Sequence, residues 1–274
     1  ILTIDGTTTE GMALDEAVTL IRGKRGSIVT LGIWRDGYKE PKEIKIARDK
    51  IVVKSAQSQT YREGKVGYLR LITFENQSAA KDFKKELDTL RESGVQGLIL
   101  DLRNNGGGLL RNAVEIAGYF LGEQPVVHTV DRDGNRETLH SQGVPVWSGP
   151  MVVLINDASA SASEILAGAI QDYKKGKLIG DHSFGKASVQ NIRPLDDGSA
   201  LLVTVAKYLT PVGRDISKKG IEPDLFVKAP DIKGHEDEYF DEFGDIFPHK
   251  DVQLGRAIEI LQEEITRESQ WPKK

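Results

Sequence analysis

The stretch MVVLINDASASASEILAGAIQDYKKGKLIGDHSFGKASVQ, residues 151–190, decides how the chain folds. It begins with an apolar run of strand length, continues in a helical pattern, and reaches a second strand at KLIGD. This order predicts an α/β layer in which a crossover helix joins two strands. Three serines at alternate positions, Ser159, Ser161 and Ser163, come just before the helix and need an explanation.

The residues before this stretch show the same alternation. Two strands, KVGYLRL (65–71) and the continuously apolar GLILDL (97–102), are each followed by an amphipathic helix, at 78–94 and 109–122. The remaining elements are predicted in this order: a hairpin turning at Asp133-Gly134, strands at 188–195 and 199–209, and a closing helix at 252–265. The fold class is therefore α/β.

Residues 1–50 have a different composition of elements. A strand (ILTI, 1–4) precedes one short helix (ALDEAVTLIRG, 13–23), and two further strands at 27–37 and 42–49 turn around Asp36-Gly37. This pattern predicts a small β-rich module. Because the chain starts inside a strand-like run, we expect that an upstream segment has been removed.

Composition excludes several classes of function. The chain has 37 basic and 41 acidic residues among its 274, with a net charge of -4, so nucleic acid is not an expected partner. It contains no cysteine, and its five histidines are scattered without the spacing of metal ligands. We therefore expect neither a metal nor another cofactor. No apolar run reaches membrane-spanning length.

The serines have a structural and a chemical interpretation. Ser161 and Glu164 fit a capping box, in which a serine and a glutamate close the first turn of a helix. Taken alone, this structural interpretation is favoured, because capping serines are commoner than catalytic ones. The same serine could instead be a nucleophile at a helix N-terminus.

A lysine further along the chain supports the chemical interpretation. In SFGKASVQ (183–190), Lys186 is flanked by apolar and small residues in a glycine-broken turn between strands. Desolvation of a lysine disfavours its charged form, and a neutral lysine can take a proton from a serine hydroxyl. A solvated loop lysine is the alternative. No histidine falls in a motif, which argues against a Ser-His-Asp triad.

Three glycines follow the strand GLILDL, in LILDLRNNGGGLLRNAVEIAG (98–118). A strand, glycines and a helix in this order expose backbone N–H groups that could form an oxyanion hole. A turn that simply needs positive φ is the alternative. A phosphate-binding loop is disfavoured, because neither GxGxxG nor a P-loop lysine is present.

Taken together, these motifs resemble those of the carboxyl-terminal processing proteases, also called tail-specific proteases. That family has the pattern N-x-x-[ST]-A-S-A-S-E, a helix, and T-F-G-K-G-x-x-Q; this chain has NDASASASE followed by SFGKASVQ. The resemblance implies that Ser161 is the nucleophile, Lys186 the general base and Gln190 the residue that orients the lysine. Ser183 and Ala187 depart from the usual threonine and glycine.

The same resemblance assigns the oxyanion hole. In the family the glycine turn reads DLR-x-N-x-GG, and the donors are a glycine amide from it and the amide after the nucleophile. Here these are Gly107, with Gly106 in reserve, and Ala162. Arg103 and Asn104 would brace the turn.

The resemblance also implies an architecture. The catalytic core, residues 51–230, would resemble the crotonases and the Clp peptidases, and residues 1–50 resemble the C-terminal part of a PDZ domain. Residues 231–274 would form a C-terminal extension with the closing helix. The implied partners are proteins or peptides with free C-termini. The resemblance is also compatible with a homo-oligomer or an adaptor protein. The implied location is extracytoplasmic, in a bacterial periplasm or cell envelope.

Two other functions remain open. One is a peptide-binding scaffold that retains the PDZ-like part without hydrolysis, although the intact serine, lysine and glutamine positions speak against it. The other is a crotonase-like acyl-CoA enzyme, since a glycine turn can also stabilise a thioester enolate. The serine-lysine pair and the PDZ-like module disfavour that function.

Overall fold

The computed structural model describes residues 1–35, 37–50, 54–230 and 250–270. The chain divides into two compact units, Ile1–Val53 and Lys54–Lys274. The first unit is a four-stranded antiparallel sheet in the order β2-β1-β3-β4 with one helix. Its elements are β1 (Thr3–Ile4), β2 (Thr7–Thr8), α1 (Leu14–Ile21), β3 (Ile28–Ile33) and β4 (Lys42–Ala47).

A small core holds the first unit together. Ile4, Val29 and Leu31 are buried in it. Arg48 closes the C-terminal end of α1, because its guanidinium donates to the carbonyl oxygens of Leu20 and Ile21 at 2.9 and 2.7 Å. The predicted strands and helix of this unit are confirmed, and the predicted Asp36-Gly37 turn lies partly outside the described residues.

The second unit contains a six-stranded sheet in the order β14-β11-β10-β7-β6-β5. The first five of these strands run parallel, and β5 is antiparallel to β6 at the edge. The strands are β5 (Ala56–Tyr61), β6 (Val66–Leu71), β7 (Gly97–Asp101), β10 (Met151–Ile155), β11 (Lys177–Gly180) and β14 (Leu225–Phe226).

Helices cover both faces of this sheet, which explains its continuously apolar strands. Leu98 and Leu100 of β7 face one hydrophobic cluster with α2, α3 and α4, and Ile99 faces a second cluster with α5. The helices are α2 (Ala79–Glu92), α3 (Leu110–Leu121), α4 (Ala162–Asp172) and α5 (Val252–Gln270). The predicted α/β layer and its crossover helices are confirmed.

A second sheet lies in the same unit. It is antiparallel, in the order β12-β13-β8-β9, with the strands β8 (Pro125–Asp131), β9 (Arg136–His140), β12 (Ser188–Pro194) and β13 (Ala200–Leu209). The predicted hairpin at Asp133-Gly134 joins β8 to β9. The turns that leave β7 and β10 and the turn that enters β12 carry the residues considered next.

Candidate active site

Ser161 occupies a strained turn between β10 and α4. It is the N-cap residue of α4, is half-buried, and has φ 56° and ψ -113°. A non-glycine residue at positive φ is uncommon and costs about 1–3 kcal/mol, so it persists only where its surroundings hold it. Such strain is typical of functional sites.

The two flanking serines supply part of that support. Ser159 Oγ donates to Leu102 O at 2.8 Å, and Ser163 Oγ donates to Asn105 O at 2.8 Å. Both serines are fully buried. They attach the serine turn to the loop that follows β7. Ser161 and Glu164 form the predicted capping box at the start of α4.

Glu164 connects the serine turn to the lysine turn. It is fully buried, and its Oε2 accepts the N–H groups of Ser161 and Lys186, each at 2.9 Å. Its Oε1 accepts Ser183 Oγ–H and Gly185 N–H, each at 2.6 Å. The amide nitrogens of Ser161 and Lys186 therefore lie no further apart than twice 2.9 Å.

The lysine turn is held closely but leaves its side chain accessible. Lys186 and Gln190 are both exposed, so the apolar neighbours in the sequence do not bury the lysine in this structure. A β-bulge at Val189/Gln190 changes the register between β12 and β13. Among the described residues, no hydrogen bond joins the Gln190 side chain to Lys186.

The glycine turn packs directly on the serine. A Cβ on Gly107, whose φ is 98°, would lie 2.7 Å from Ala160 O and 2.9 Å from Ser161 Cβ, so only glycine fits there. The N–H of Gly107 donates to Asn105 Oδ1 at 2.9 Å. Within the part of the chain that the structure describes, the N–H of the exposed Gly106 has no hydrogen bond.

Asn105 is the hub of this turn. Its buried side chain also donates to Leu71 O at 2.6 Å, and its backbone carbonyl accepts the N–H of Ala160 at 3.0 Å. The amide of Ala162 belongs to the first turn of α4, where backbone N–H groups have no acceptor within the helix. The glycine turn lies close to this amide, since a Cβ on Gly107 would be 2.9 Å from the nitrogen of Ala162.

A buried charge cluster braces the start of the glycine turn. Arg103 donates to Asp101 at 2.6 Å and to Asp251 at 2.7 Å, and Tyr68 O–H donates to Asp101 at 2.7 Å. Burial alone would raise the pKa of Asp101, but the charge and hydrogen bonds of Arg103 outweigh it and leave that pKa below its usual value. Burial, with the charge of Asp101, raises the pKa of Tyr68 far above its usual value.

The cluster also anchors the last helix. Asp251 Oδ1 accepts the N–H of Leu254 at 3.0 Å and so caps α5. Arg103 therefore links the glycine turn, which it is expected to brace, to α5, a helix far away in sequence. Asn104, at φ 59°, donates its N–H to Asn156 Oδ1 at 2.9 Å, between the glycine and serine turns.

The structure brings Ser161, Lys186, Gly107 and Ala162 together where the serine, lysine and glycine turns meet. Sequence reasoning missed two contributors. The sequence pattern indicates only a helix cap for Glu164 and no separate role for Asn105. The signal for the first was its position three residues after Ser161; for the second it was its place just before the glycines.

Within the described ranges, no group of three or more His, Cys, Asp or Glu side chains is placed to hold a metal ion. The helices of those ranges include none that is both long and apolar enough to cross a membrane.

The chain is similar to known proteases over most of its length. The profile of peptidase family S41 matches residues 65–227. A carboxyl-terminal-processing protease from Synechocystis is 42% identical over 95% of this chain and 60% of its own length. A carboxy-terminal-processing protease from Bartonella bacilliformis is 39% identical over 96% of this chain and 67% of its own length. The chain therefore spans about half to two thirds of the length of the curated relatives that it matches.

Solved structures extend the comparison. A photosystem II D1 C-terminal processing protease is 34% identical, with a TM-score of 0.60, and the match covers 85% of this chain and 65% of that protein. A lipoprotein from Streptococcus agalactiae has the same TM-score, 0.60, at 18% identity, over 76% of this chain and 70% of that protein. The second likeness concerns the fold alone.

Proposed function

This chain belongs to peptidase family S41, and we propose that it is the catalytic part of a serine endopeptidase that cuts proteins near their C-termini. Ser161 is the nucleophile and Lys186 the general base of a Ser/Lys dyad. Gln190 orients the lysine. The family membership supports these three assignments, and the geometry of the serine and lysine turns supports those of Ser161 and Lys186.

The proposed reaction proceeds through an acyl-enzyme. Ser161 Oγ attacks the scissile carbonyl carbon while the unprotonated amine of Lys186 takes the hydroxyl proton. The oxyanion accepts hydrogen bonds from the N–H of Ala162 and from a glycine N–H of the turn, Gly107 or Gly106. The C–N bond then breaks as the lysine returns the proton to the leaving amine, and a water molecule releases the acyl group by the same route.

The choice between the two glycines depends on Asn105. The N–H of Gly107 is already bound to Asn105 Oδ1, so it must share that proton or leave that acceptor to bind an oxyanion. The N–H of Gly106 is available without such a change. We keep Gly107 as the first choice because it packs against Ser161, and Gly106 as the reserve.

One observation carries the proposal. A single buried oxygen, Glu164 Oε2, binds the N–H groups of both Ser161 and Lys186. A helix cap alone would need only the first of these bonds. The second places the lysine turn beside the serine, which is what proton transfer between them requires. Because Lys186 is exposed here, we expect bound peptide to cover it and to exclude water.

Labelling and hydrolysis together test the proposal. A fluorophosphonate should label Ser161, and the variants Ser161→Ala and Lys186→Ala should lose hydrolysis of an unfolded protein while they keep their thermal unfolding midpoints. Lys175→Ala, which removes an exposed lysine from the turn after α4, is the matched control and should behave as wild type. Wild-type turnover in Ser161→Ala would show that the serine is only a helix cap.

The same experiment separates the two rival functions. A peptide-binding scaffold would bind peptides without labelling or cleavage. A crotonase-like enzyme would turn over an acyl-CoA thioester without needing Lys186. The buried link between the two turns favours the peptidase over both.

The proposed architecture follows the family. We infer a catalytic core of residues 51–230 that resembles the crotonases and Clp peptidases, followed by a C-terminal extension, residues 231–274. Residues 1–50 would be the C-terminal part of a PDZ-like module that binds peptide tails by strand addition. The four-stranded sheet and single helix of the first unit are compatible with this module.

The substrates that we propose are proteins and peptides with free C-termini, in an extracytoplasmic compartment such as a bacterial periplasm or cell envelope. The curated relatives named carboxyl-terminal processing proteases support the substrate class. A homo-oligomer or an adaptor protein remains part of the proposal. Sedimentation of the purified chain, alone and with a cell-envelope fraction, tests that part.

A further inference from the structure

A groove of 610 Å³ lies beside the proposed base. Its walls are the lysine turn (184–188), β13, the end of β8 and residues 217–218. Neither Ser161 nor the glycine turn lines it. The groove is therefore on the lysine side of the site and away from the oxyanion hole.

The chemistry of the proposed reaction decides which part of a substrate would lie there. The base must deliver its proton to the leaving amine, so the fragment C-terminal to the scissile bond lies on the base's side. A groove beyond the base would hold that leaving fragment. In a substrate cut close to its end, this fragment is short and carries a terminal carboxylate.

The lining of the groove suits such a fragment. Phe184 and Val205 line it, with 64% and 41% of their surfaces exposed, and offer contacts for apolar side chains. Four basic residues also line it: Lys186, which is the proposed base, and Arg132, Lys207 and Lys218.

Two of the basic lining residues are already paired with carboxylates. Arg132 Nε lies 3.7 Å from Asp133. Lys207 is paired with Asp215 at 2.7 Å. The one acidic lining residue, Asp131, accepts N–H groups of Asp133 and Asn135 in its own turn. Lys218 is exposed and, among the described residues, has no ion pair, so it would attract an anionic group.

The backbone of Lys218 is held in an unfavourable conformation by the lysine turn. Its φ is 60°, and its N–H donates to Gly185 O at 2.9 Å. On Gly185, a Cβ would lie 2.9 Å from backbone atoms of Lys218, Lys219 and Gly220, so the two loops are in close contact. A non-glycine residue kept at positive φ beside a reactive group is a candidate for function.

We propose that Lys218, with Arg132 at the rim, binds the terminal carboxylate of the leaving fragment, while Phe184 and Val205 contact its apolar side chains. The groove thereby favours bonds a few residues from a free C-terminus. This inference rests on the proposed function, because it uses the direction of proton transfer. It assigns recognition of the tail to the catalytic unit itself.

The test compares matched peptides that end in a free acid or an amide and differ in the number of residues after the scissile bond. For short leaving fragments, wild type should prefer the acid by about tenfold in kcat/KM, as expected for one charge-assisted contact. Lys218→Gln should remove this preference by raising KM for the acid peptide, so that kcat/KM for the acid falls to the value for the amide. Lys219→Gln, a change of the exposed neighbour, should retain the preference.

A second variant separates charge from folding. Lys218→Gly removes the charge and relieves the positive φ, so it should be at least as stable as wild type but lack the acid preference. An unchanged acid-to-amide ratio in either Lys218 variant would overturn the proposal. So would a wild-type enzyme that cuts both peptides equally well.

Binding distinguishes failure of this inference from failure of the proposed function. If wild type cuts neither peptide and fluorophosphonate does not label Ser161, the proposed peptidase function fails. Fluorescence anisotropy with Ser161→Ala then still measures the site: the acid peptide should bind more tightly than the amide, and Lys218→Gln should abolish the difference. Equal binding of the two peptides by Ser161→Ala would overturn the carboxylate site.

Discussion

Replacing Glu164 by glutamine removes one acceptor from a group that accepts four hydrogen bonds. The carboxylate is fully buried and serves Ser161, Lys186, Ser183 and Gly185. A glutamine amide can keep an oxygen toward only two of these donors, and its NH2 group must face the other two.

The best orientation of that glutamine sets the smallest expected loss. If the NH2 group faces Ser183 and Gly185, the Ser183 hydroxyl, which already accepts the N–H of Ile221, can accept a second hydrogen bond by turning its own proton away, but the Gly185 N–H cannot turn. One buried N–H is then unsatisfied, at a cost of about 1–3 kcal/mol. The opposite orientation leaves both Ser161 and Lys186 N–H groups unsatisfied, at roughly twice that cost. We expect Glu164→Gln to lower the free energy of unfolding by at least about 1 kcal/mol.

Activity should fall further than stability. The carboxylate holds the strained Ser161 turn against the lysine turn, and small displacements of reacting groups cost about 100-fold in rate. Urea denaturation measures the free energy of unfolding, and peptide hydrolysis measures kcat. Glu86→Gln, which alters a half-buried carboxylate bound by Ser58 O–H, is the matched control. If Glu164→Gln unfolds within about 0.5 kcal/mol of wild type and keeps its kcat, the bridging role is refuted.

Two other changes test the neighbouring parts of the site. Gly107→Ala should lower kcat/KM by about 100-fold, because its Cβ would lie 2.7 Å from Ala160 O. Gly198 has φ 83° and no atom within 4 Å of an added Cβ, so Gly198→Ala is a control for backbone strain alone. Equal activity of the two variants would contradict the crowding argument. Asp101→Asn should make the free energy of unfolding depend less steeply on pH in the acid range. Since Arg103 keeps the pKa of Asp101 below the unfolded value of about 3.9, its stabilisation is present above that pH and disappears as pH falls through the folded value. Parallel urea midpoints of variant and wild type below about pH 4 would contradict this.

The α/β layer could be predicted because its strands are buried on both faces and are continuously apolar, as in β7 and β10. β5 could not be predicted because its sequence, AQSQTY (56–61), is polar. It lies at the edge of the sheet, where pairing with β6 is enough to form the strand. β14 is a two-residue strand, Leu225–Phe226, which is too short for any periodicity.

Contacts between distant residues explain what could not be foreseen in the site. The capping-box pattern identifies the bond from Glu164 to Ser161, three residues apart, but its bonds to residues 183–186 exist only once β11 has returned the chain. The apolar neighbours of Lys186 in sequence suggested desolvation. In the structure, Ala187 is buried while Phe184 and Lys186 are exposed, because sequence neighbours in a turn point in different directions.

The alternating serines therefore serve two needs at once. Placing Ser161 at φ 56° costs about 1–3 kcal/mol, and a turn with that strain would relax if its ends were free. Ser159 and Ser163, one on each side, donate hydrogen bonds to carbonyl oxygens of the loop after β7, each worth about 1 kcal/mol. Two such bonds are comparable with the strain. The hydroxyls of Ser159 and Ser163 support the turn from both sides. That support determines the position of the Ser161 hydroxyl between them.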